Sequence, residues 1–295
     1  MQSTNDAHLR YVLRLADSAL ILGQRNAEWT GHGPVLEEDI ALSNLSLDLI
    51  GQARLLYTHA GRLEGKLTGM PRSEDDYAYW RDEPAFRNYT LLELPHAGPL
   101  CGTAAGSRDY AVTIVRHFLY AALMVPLWEA LAASADAELA AIAAKSVKEM
   151  RYHLAHTRDW LVRFGDGTAQ SHARAQAALD WLMPYTNEFF AADAVEEAVA
   201  EAGIGVRSAQ VRGAWEATVR DTLDEATLTW PDAGPYVSTG KHGIHSEHMG
   251  YLLAEMQAWP ASSRGDMVAG TRFPSGPMRR RTPPGWRAHG PRSIR

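Results

Sequence analysis

Cysteine is nearly absent from this chain: Cys101 is the single one in 295 residues. That excludes an internal disulfide framework and a cysteine-ligated metal centre, and it suits a reducing, cytoplasmic setting. Strand signals are scarce, because little of the sequence alternates apolar and polar residues. Long apolar runs are missing too. The longest, Phe118 to Trp128, is eleven residues and contains Pro126, too short to span a bilayer and better suited to a buried core helix. Met1 to Arg10 carry neither a basic nor an apolar leader pattern, so no signal peptide is expected there. Nothing resembles a nucleophile elbow, and Gly102-Thr103-Ala104-Ala105-Gly106 lacks the spacing and the lysine of a phosphate-binding loop. Positive charge is in short supply, with 29 Lys and Arg against 35 Asp and Glu and a net charge of -6. Nucleic acid and anionic membrane are therefore poor partners for the body of the fold.

What is present is helical periodicity. Leu9, Val12, Leu13, Ala16 and Leu20 mark a first helix over about 8–25. Leu42, Leu45, Leu49, Gln52 and Leu56 mark a second, from near Val35 to Gly61 or Gly65, with Glu37, Glu38 and Asp39 complementing the dipole of its first turn. A third is expected over about 109–134, kinked at Pro126. A fourth, over about 136–164, carries Ala143, Ser146, Met150, His153, Thr157, Trp160 and Phe164 and stops at Gly165-Asp166-Gly167. Between the second and third lies a long connection, about 66–108, of a length that is usually functional or packed across a surface. Shorter helices are expected over 171–190, 193–202, 208–229 and 243–259. The pattern predicts an all-α chain: a four-helix bundle over 1–259 with additional C-terminal helices. The Pro, Gly, Ser and Arg-rich stretch 260–295, with Arg279-Arg280-Arg281, reads as a disordered tail.

The inward stripes of the second and fourth helices have the spacing of a di-iron carboxylate bundle but not its donors. Such a centre needs Glu-x-x-His on each of two helices and one further acid from each of the other two. Here the pairs read Leu49…Gln52 and Met150…His153, and alkyl and thioether groups cannot neutralise two hard cations. The one acid three residues before a histidine is Glu93…His96, with Pro95 between them. No metal is expected at these positions. His153 reads first as a core histidine bonded to a neighbour such as Gln52 or a backbone carbonyl. Asp48, Lys148 and Glu149, beside the stripes, suit interhelical ion pairing. His242, His245 and His248 crowd together and leave a metal pair open against a packing role. Ala85, Phe86, Arg87 and Asn88 offer an aromatic face, a guanidinium and an amide that suit a nucleotide ligand. The alternative is a loop that buries Phe86 and leaves Arg87 in water.

A resemblance then appears in particular segments. Leu13-Arg14-Leu15-Ala16-Asp17, Gln24 through His32, Ala41-Leu42-Ser43-Asn44 and Leu47 through Arg54 resemble PaaC, the C-subunit family of phenylacetate-CoA oxygenase (1,2-phenylacetyl-CoA epoxidase). So do Lys148 through Leu154, Ala214-Trp215-Glu216-Ala217, Asp224 through Leu228 and His245 through Gly250. The resemblance runs to about Gln257 and leaves out the Arg-rich tail. It implies a ferritin-like helical fold without a di-iron site. It also implies a structural, non-catalytic role, supporting the di-iron catalytic A-subunit of the same complex. Together they would make a monooxygenase of aerobic phenylacetate catabolism that epoxidises phenylacetyl-CoA, with electrons from NADPH through a flavin and Fe–S reductase. At the positions of Leu49, Gln52 and Met150 the catalytic sister would carry Glu, His and Glu, and His153 looks like a retained ligand type. The resemblance strengthens Ala85–Asn88 as a CoA contact at a shared interface. The competing expectation is a free-standing ferritin-like di-metal oxygenase or metal-storage protein.

Overall fold

The structure, a computed structural model, describes residues 4–100 and 108–268, without side chains beyond Ala258. Cys101, the Gly102–Gly106 segment and the tail from 269 onward lie outside the described residues. Among those described there are ten α-helices and no strand, an all-α, ferritin-like fold.

Four long helices form the bundle: α1 (Thr4–Ala27), α2 (Leu36–Thr68), α5 (Tyr110–Leu131) and α6 (Ala137–Gly165). The strongest packing is within two antiparallel pairs, α1 with α2 and α5 with α6. The α5 helix is buried along most of its length, from Ala111 to Leu131. It is apolar and long enough to cross a membrane by composition, but it sits inside the fold. Pro126 does not end it, because a proline removes only one backbone donor from a helix that tertiary packing holds along most of its length. At the start of α6 the Asp136 carboxylate accepts from the N–H groups of Glu138 and Leu139, 2.9 and 3.1 Å away, a strong N-cap. The last residue of α6, Gly165, packs so tightly under the backbone of Ala226 that a Cβ would collide with that carbonyl.

Several element boundaries differ from the periodicity. The α2 helix runs past Gly61 and Gly65 to Thr68. Gly69 then ends it in the left-handed conformation (φ +78°) and donates to Gly65 O. The long connection is not structureless: it holds α3 (Glu74–Tyr79), a 3₁₀ turn over Glu83–Ala85 and α4 (Thr90–Glu93). The expected helix over 171–190 is α7 (Ala169–Leu182) followed by 3₁₀ turns to Phe190, because Pro184 supplies no N–H for α-helical bonding. Then come α8 (Ala194–Glu201), α9 (Ser208–Glu225) and α10 (Glu247–Val268). Gly243, at φ +84°, delays the start of α10. That helix continues through Pro260 and crosses the expected boundary at 259.

Three buried carboxylates hold the irregular segments in place. Asp17, on α1, is fully buried. It accepts from the Tyr57 hydroxyl at 2.5 Å, the Arg87 backbone N–H at 2.8 Å and the Arg81 guanidinium. Arg81 also donates to the carbonyls of Tyr77 and Ala85 and lies 4.1 Å from the Phe86 ring centroid. Glu93 accepts from Asn88 Nδ2 at 2.8 Å and Ser246 N at 2.5 Å, and it pairs with His245 Nδ1 at 2.7 Å. Glu188 accepts from Thr90 N, Lys241 N and Ser238 Oγ at 2.9, 2.7 and 2.7 Å. Breaking a buried ion pair strands a charge, so Asp17→Ala should cost about 3–5 kcal/mol. Urea denaturation of the variant checks this, and a loss below about 1 kcal/mol would mean the pair does not anchor the connection.

Candidate functional site

The four inward positions of α2 and α6 are all in the core: Leu49, Met150 and His153 are fully buried and Gln52 is nearly so. The structure does not aim them at a common vacant point. Gln52 Nε2 donates to Glu149 Oε2 at 2.9 Å. His153 bonds neither to Gln52 nor to a carbonyl. Its Nε2 lies 3.2 Å from Asp48 Oδ2, and its Nδ1 lies 3.1 Å from His117 Nε2 on α5. His117 Nδ1 in turn lies 3.1 Å from Asn26 Nδ2 on α1.

The chemistry orients this chain of bonds. A carboxylate only accepts, so His153 Nε2 carries a hydrogen, and the Asn26 amide nitrogen only donates, so His117 Nδ1 accepts. His117 must then donate from Nε2 to His153 Nδ1. Hydrogen bonds thus run one way, from Asn26 through His117 and His153 to Asp48. Burial drives the pKa of His117 well below the usual histidine value, and the neighbouring His153, His156 and Arg116 push it the same way.

These residues do not fit a di-iron centre. Such a site asks for four convergent carboxylates and two histidines. At this level α1 and α5 supply Asn26 and His117 instead of acids. Asp48 and Glu149 stand one residue out of step with the ligand positions and bond along the α2–α6 seam. Both His153 nitrogens are already committed.

That seam carries polar rungs from one end to the other. Glu38 lies opposite His156 (3.2 Å), Asp48 opposite His153, Gln52 opposite Glu149, and Arg62 beside Glu138. The outer face of α2 reverses the usual pattern. Leu36, Ile40 and Leu47, spaced four and seven apart on one face, are 72%, 53% and 66% exposed, and Tyr152 on α6 is 56% exposed.

In the Ala85–Asn88 loop, Phe86 is fully buried under Arg81, and Asn88 is fully buried with its amide on Glu93 and on Tyr89 O. Neither side chain reaches the surface of this chain. Ala85 and Arg87 do, although Arg87 folds back to donate to the carbonyls of Pro84 and Phe86 rather than standing free in water. Glu93 and His96 do not form a pair: His96 bonds to Arg25 O and Thr113 Oγ1, both at 2.7 Å. His245 is taken by Glu93 and Phe86 O, while His242 faces Asp193. The three C-terminal histidines do not converge. Asn26 and His117 carry no spacing signal in the sequence, since neither falls in a Glu-x-x-His pair.

The family described as phenylacetic acid catabolic protein matches residues 1–266. The chain belongs to that family. It is 44% identical over 247 residues to the C-subunit of the 1,2-phenylacetyl-CoA epoxidase of Escherichia coli (strain K12), covering 84% of this chain and 93% of that protein. The resemblance seen in the segments around Leu49 and His153 therefore extends across the folded region of this family member.

The buried His117 predicts a pH response. Folded, the ring stays neutral, whereas unfolded it titrates near pH 6.5. The unfolded chain therefore takes up a proton first as the pH falls. The stability contribution is complete above about pH 6.5 and is lost below it, by up to about 1.4 kcal/mol per pH unit for each such histidine. His96, also held well below the usual value by burial and by Arg116, adds to the slope. His117→Gln should remove about one proton from the slope measured by urea unfolding between about pH 7 and 5. An unchanged slope would show that His117 titrates normally.

Proposed function

We propose that this chain is a structural, non-catalytic member of a phenylacetyl-CoA epoxidase complex, supporting a related di-iron catalytic subunit. One observation carries the reading: at the metal level of the bundle the donors bond to each other, Asn26 to His117 to His153 to Asp48, in a member of the phenylacetic acid catabolic family. A closed hydrogen-bond chain keeps the helices in register without an ion. The di-iron centre then belongs to the catalytic subunit, and reducing equivalents from NADPH reach it through a separate flavin and Fe–S reductase. This chain's work is to bind and to shape, in the cytoplasm.

The surface for pairing is the apolar stripe of α2 with Tyr152. Apolar side chains in a row on a long helix, beside a polar seam, suit a second helical bundle packed across them. Leu47→Glu should leave the isolated chain's stability within about 0.5 kcal/mol, because the residue is exposed. Co-expressed with the catalytic subunit, the variant should fail to co-elute on size exclusion. Normal co-elution would place the interface elsewhere. Metal analysis of the assembled wild-type complex should find iron with the catalytic partner and no iron pair in this chain; two irons in this chain would favour the free-standing di-metal reading.

Arg87 is the remaining candidate for the CoA moiety at the shared interface, with Ala85 beside it. Phe86 and Asn88 contribute by holding the loop. Arg87→Ala should weaken acyl-CoA binding to the assembled complex about tenfold without preventing assembly, as read by calorimetric titration. Unchanged affinity would make Arg87 a surface residue only.

A further inference from the structure

At the opposite end of the bundle, three side chains that are far apart in the chain meet. His8 comes from the first turns of α1, His59 from the last third of α2, and Asp136 from the cap of α6. By helix rise, Asp136 lies about 25 Å along α6 from His153. His59 Nε2 is 2.6 Å from Asp136 Oδ2, and His8 Nε2 is 2.8 Å from the same oxygen. Donor atoms of all three residues lie within 4.8 Å of one another. Behind His59, its Nδ1 is 3.1 Å from Glu138 Oε2.

The arrangement is poorly satisfied as a hydrogen-bond cluster. One carboxylate oxygen faces two imidazole nitrogens. His59 is in line with it, but His8 Nε2, on a side chain 10% exposed, is out of line and makes no hydrogen bond. Asp136 cannot turn to serve both, because its other oxygen caps α6 through Glu138 N and Leu139 N. Burial opposes the charged form of Asp136, yet the backbone donor of Leu139 and the two imidazoles outweigh it and keep the carboxyl below its usual range. Burial also lowers the pKa of His8. The group lines a cleft of about 600 Å³, together with Asn5, Leu63, Lys66 and Ile204.

We propose that His8, His59 and Asp136 bind one divalent transition-metal ion, best matched by zinc, stapling α1, α2 and α6 at this end of the bundle. Two imidazoles and a carboxylate are a borderline donor set, which suits zinc better than calcium or magnesium. A tetrahedral zinc with bonds of about 2.0–2.2 Å holds its ligand atoms roughly 3.3 Å apart. The His8 and His59 contacts to Asp136, 2.8 and 2.6 Å, need to open by about 0.5–0.7 Å to admit it. Glu138 stands 3.1 Å from His59 Nδ1 without a hydrogen bond to it, at the place where a metal-bound histidine's other ring nitrogen normally finds a carboxylate. The fourth position faces the cleft, where water completes the shell. Asp136 and Glu138 supply two negative charges, set against Lys66 in the cleft and Arg62, which pairs with Glu138. The site is separate from the degenerate Leu49, Gln52, Met150 and His153 level. It has no Glu-x-x-His spacing, since each ligand comes from a different helix.

The test uses the untagged full-length chain, stripped with a chelator and titrated with zinc chloride by calorimetry. One equivalent should bind, and the melting temperature should rise with zinc concentration. Cobalt(II) in place of zinc should give the intense visible bands of a tetrahedral site. His59→Gln should weaken zinc binding at least about a hundredfold, since even the loss of an outer partner costs roughly 10–100-fold. Asp136→Asn keeps an equally good helix cap and should weaken binding as well, so the proposal does not depend on a variant that unfolds. The double variant His242→Gln/His248→Gln should bind zinc as the wild type does. Failure of the wild type to bind an equivalent, or wild-type affinity in folded Asp136→Asn and His59→Gln, would overturn the proposal.

Discussion

Asp17 is the residue around which this fold closes. A carboxylate with no exposure to water has to be compensated inside the protein, and the compensation comes from three directions: Tyr57 on α2, the Arg81 guanidinium and the backbone N–H of Arg87. Meeting those needs pulls the long crossover against the bundle and seats Phe86 under Arg81. Glu93 and Glu188 repeat the device for the approach to α10 and the segment around Lys241. Buried acid in this protein fastens loops. None of these three carboxylates stands at the level where a di-iron bundle would collect its own.

That placement shapes the interior. With Asn26, His117 and His153 bonded in series to Asp48, the centre is a directed polar chain in an apolar bundle, satisfied end to end apart from the Asn26 carbonyl oxygen. Polar rungs between α2 and α6 are individually weak where they reach solvent, but they fix the register of two helix pairs that otherwise pack mostly within themselves. The same α2 helix turns leucine and isoleucine outward. Apolar side chains exposed in a row on the outer face of a long helix are unfavourable in water and favourable once a second surface covers them.

Much of this was legible in the chain. The 3.6-residue stripes locate the four long helices to within a few residues, because burial of one face is written in the spacing of leucine and alanine. The loss of metal ligands is legible for the same reason: Leu49, Gln52, Met150 and His153 occupy inward positions, and their chemistry can be read directly. The 3₁₀ turns after Leu182 and the run of α10 through Pro260 were less legible, since proline's effect depends on what packs around it. The burial of Phe86 and Asn88 was not legible either, because an exposed side chain and a buried one have the same letter.

The sequence by itself determined the helical class, the places of the bundle helices to within a few residues and the missing carboxylates, all of which depend on local periodicity and side-chain chemistry. Only the tertiary structure decided which polar groups meet. Asn26 with His117, Asp17 with Arg81, and His8 and His59 with Asp136 are separated by tens of residues. No local spacing encodes these meetings; helix packing brings the partners together, and the cost of leaving a buried polar group alone selects the pairs.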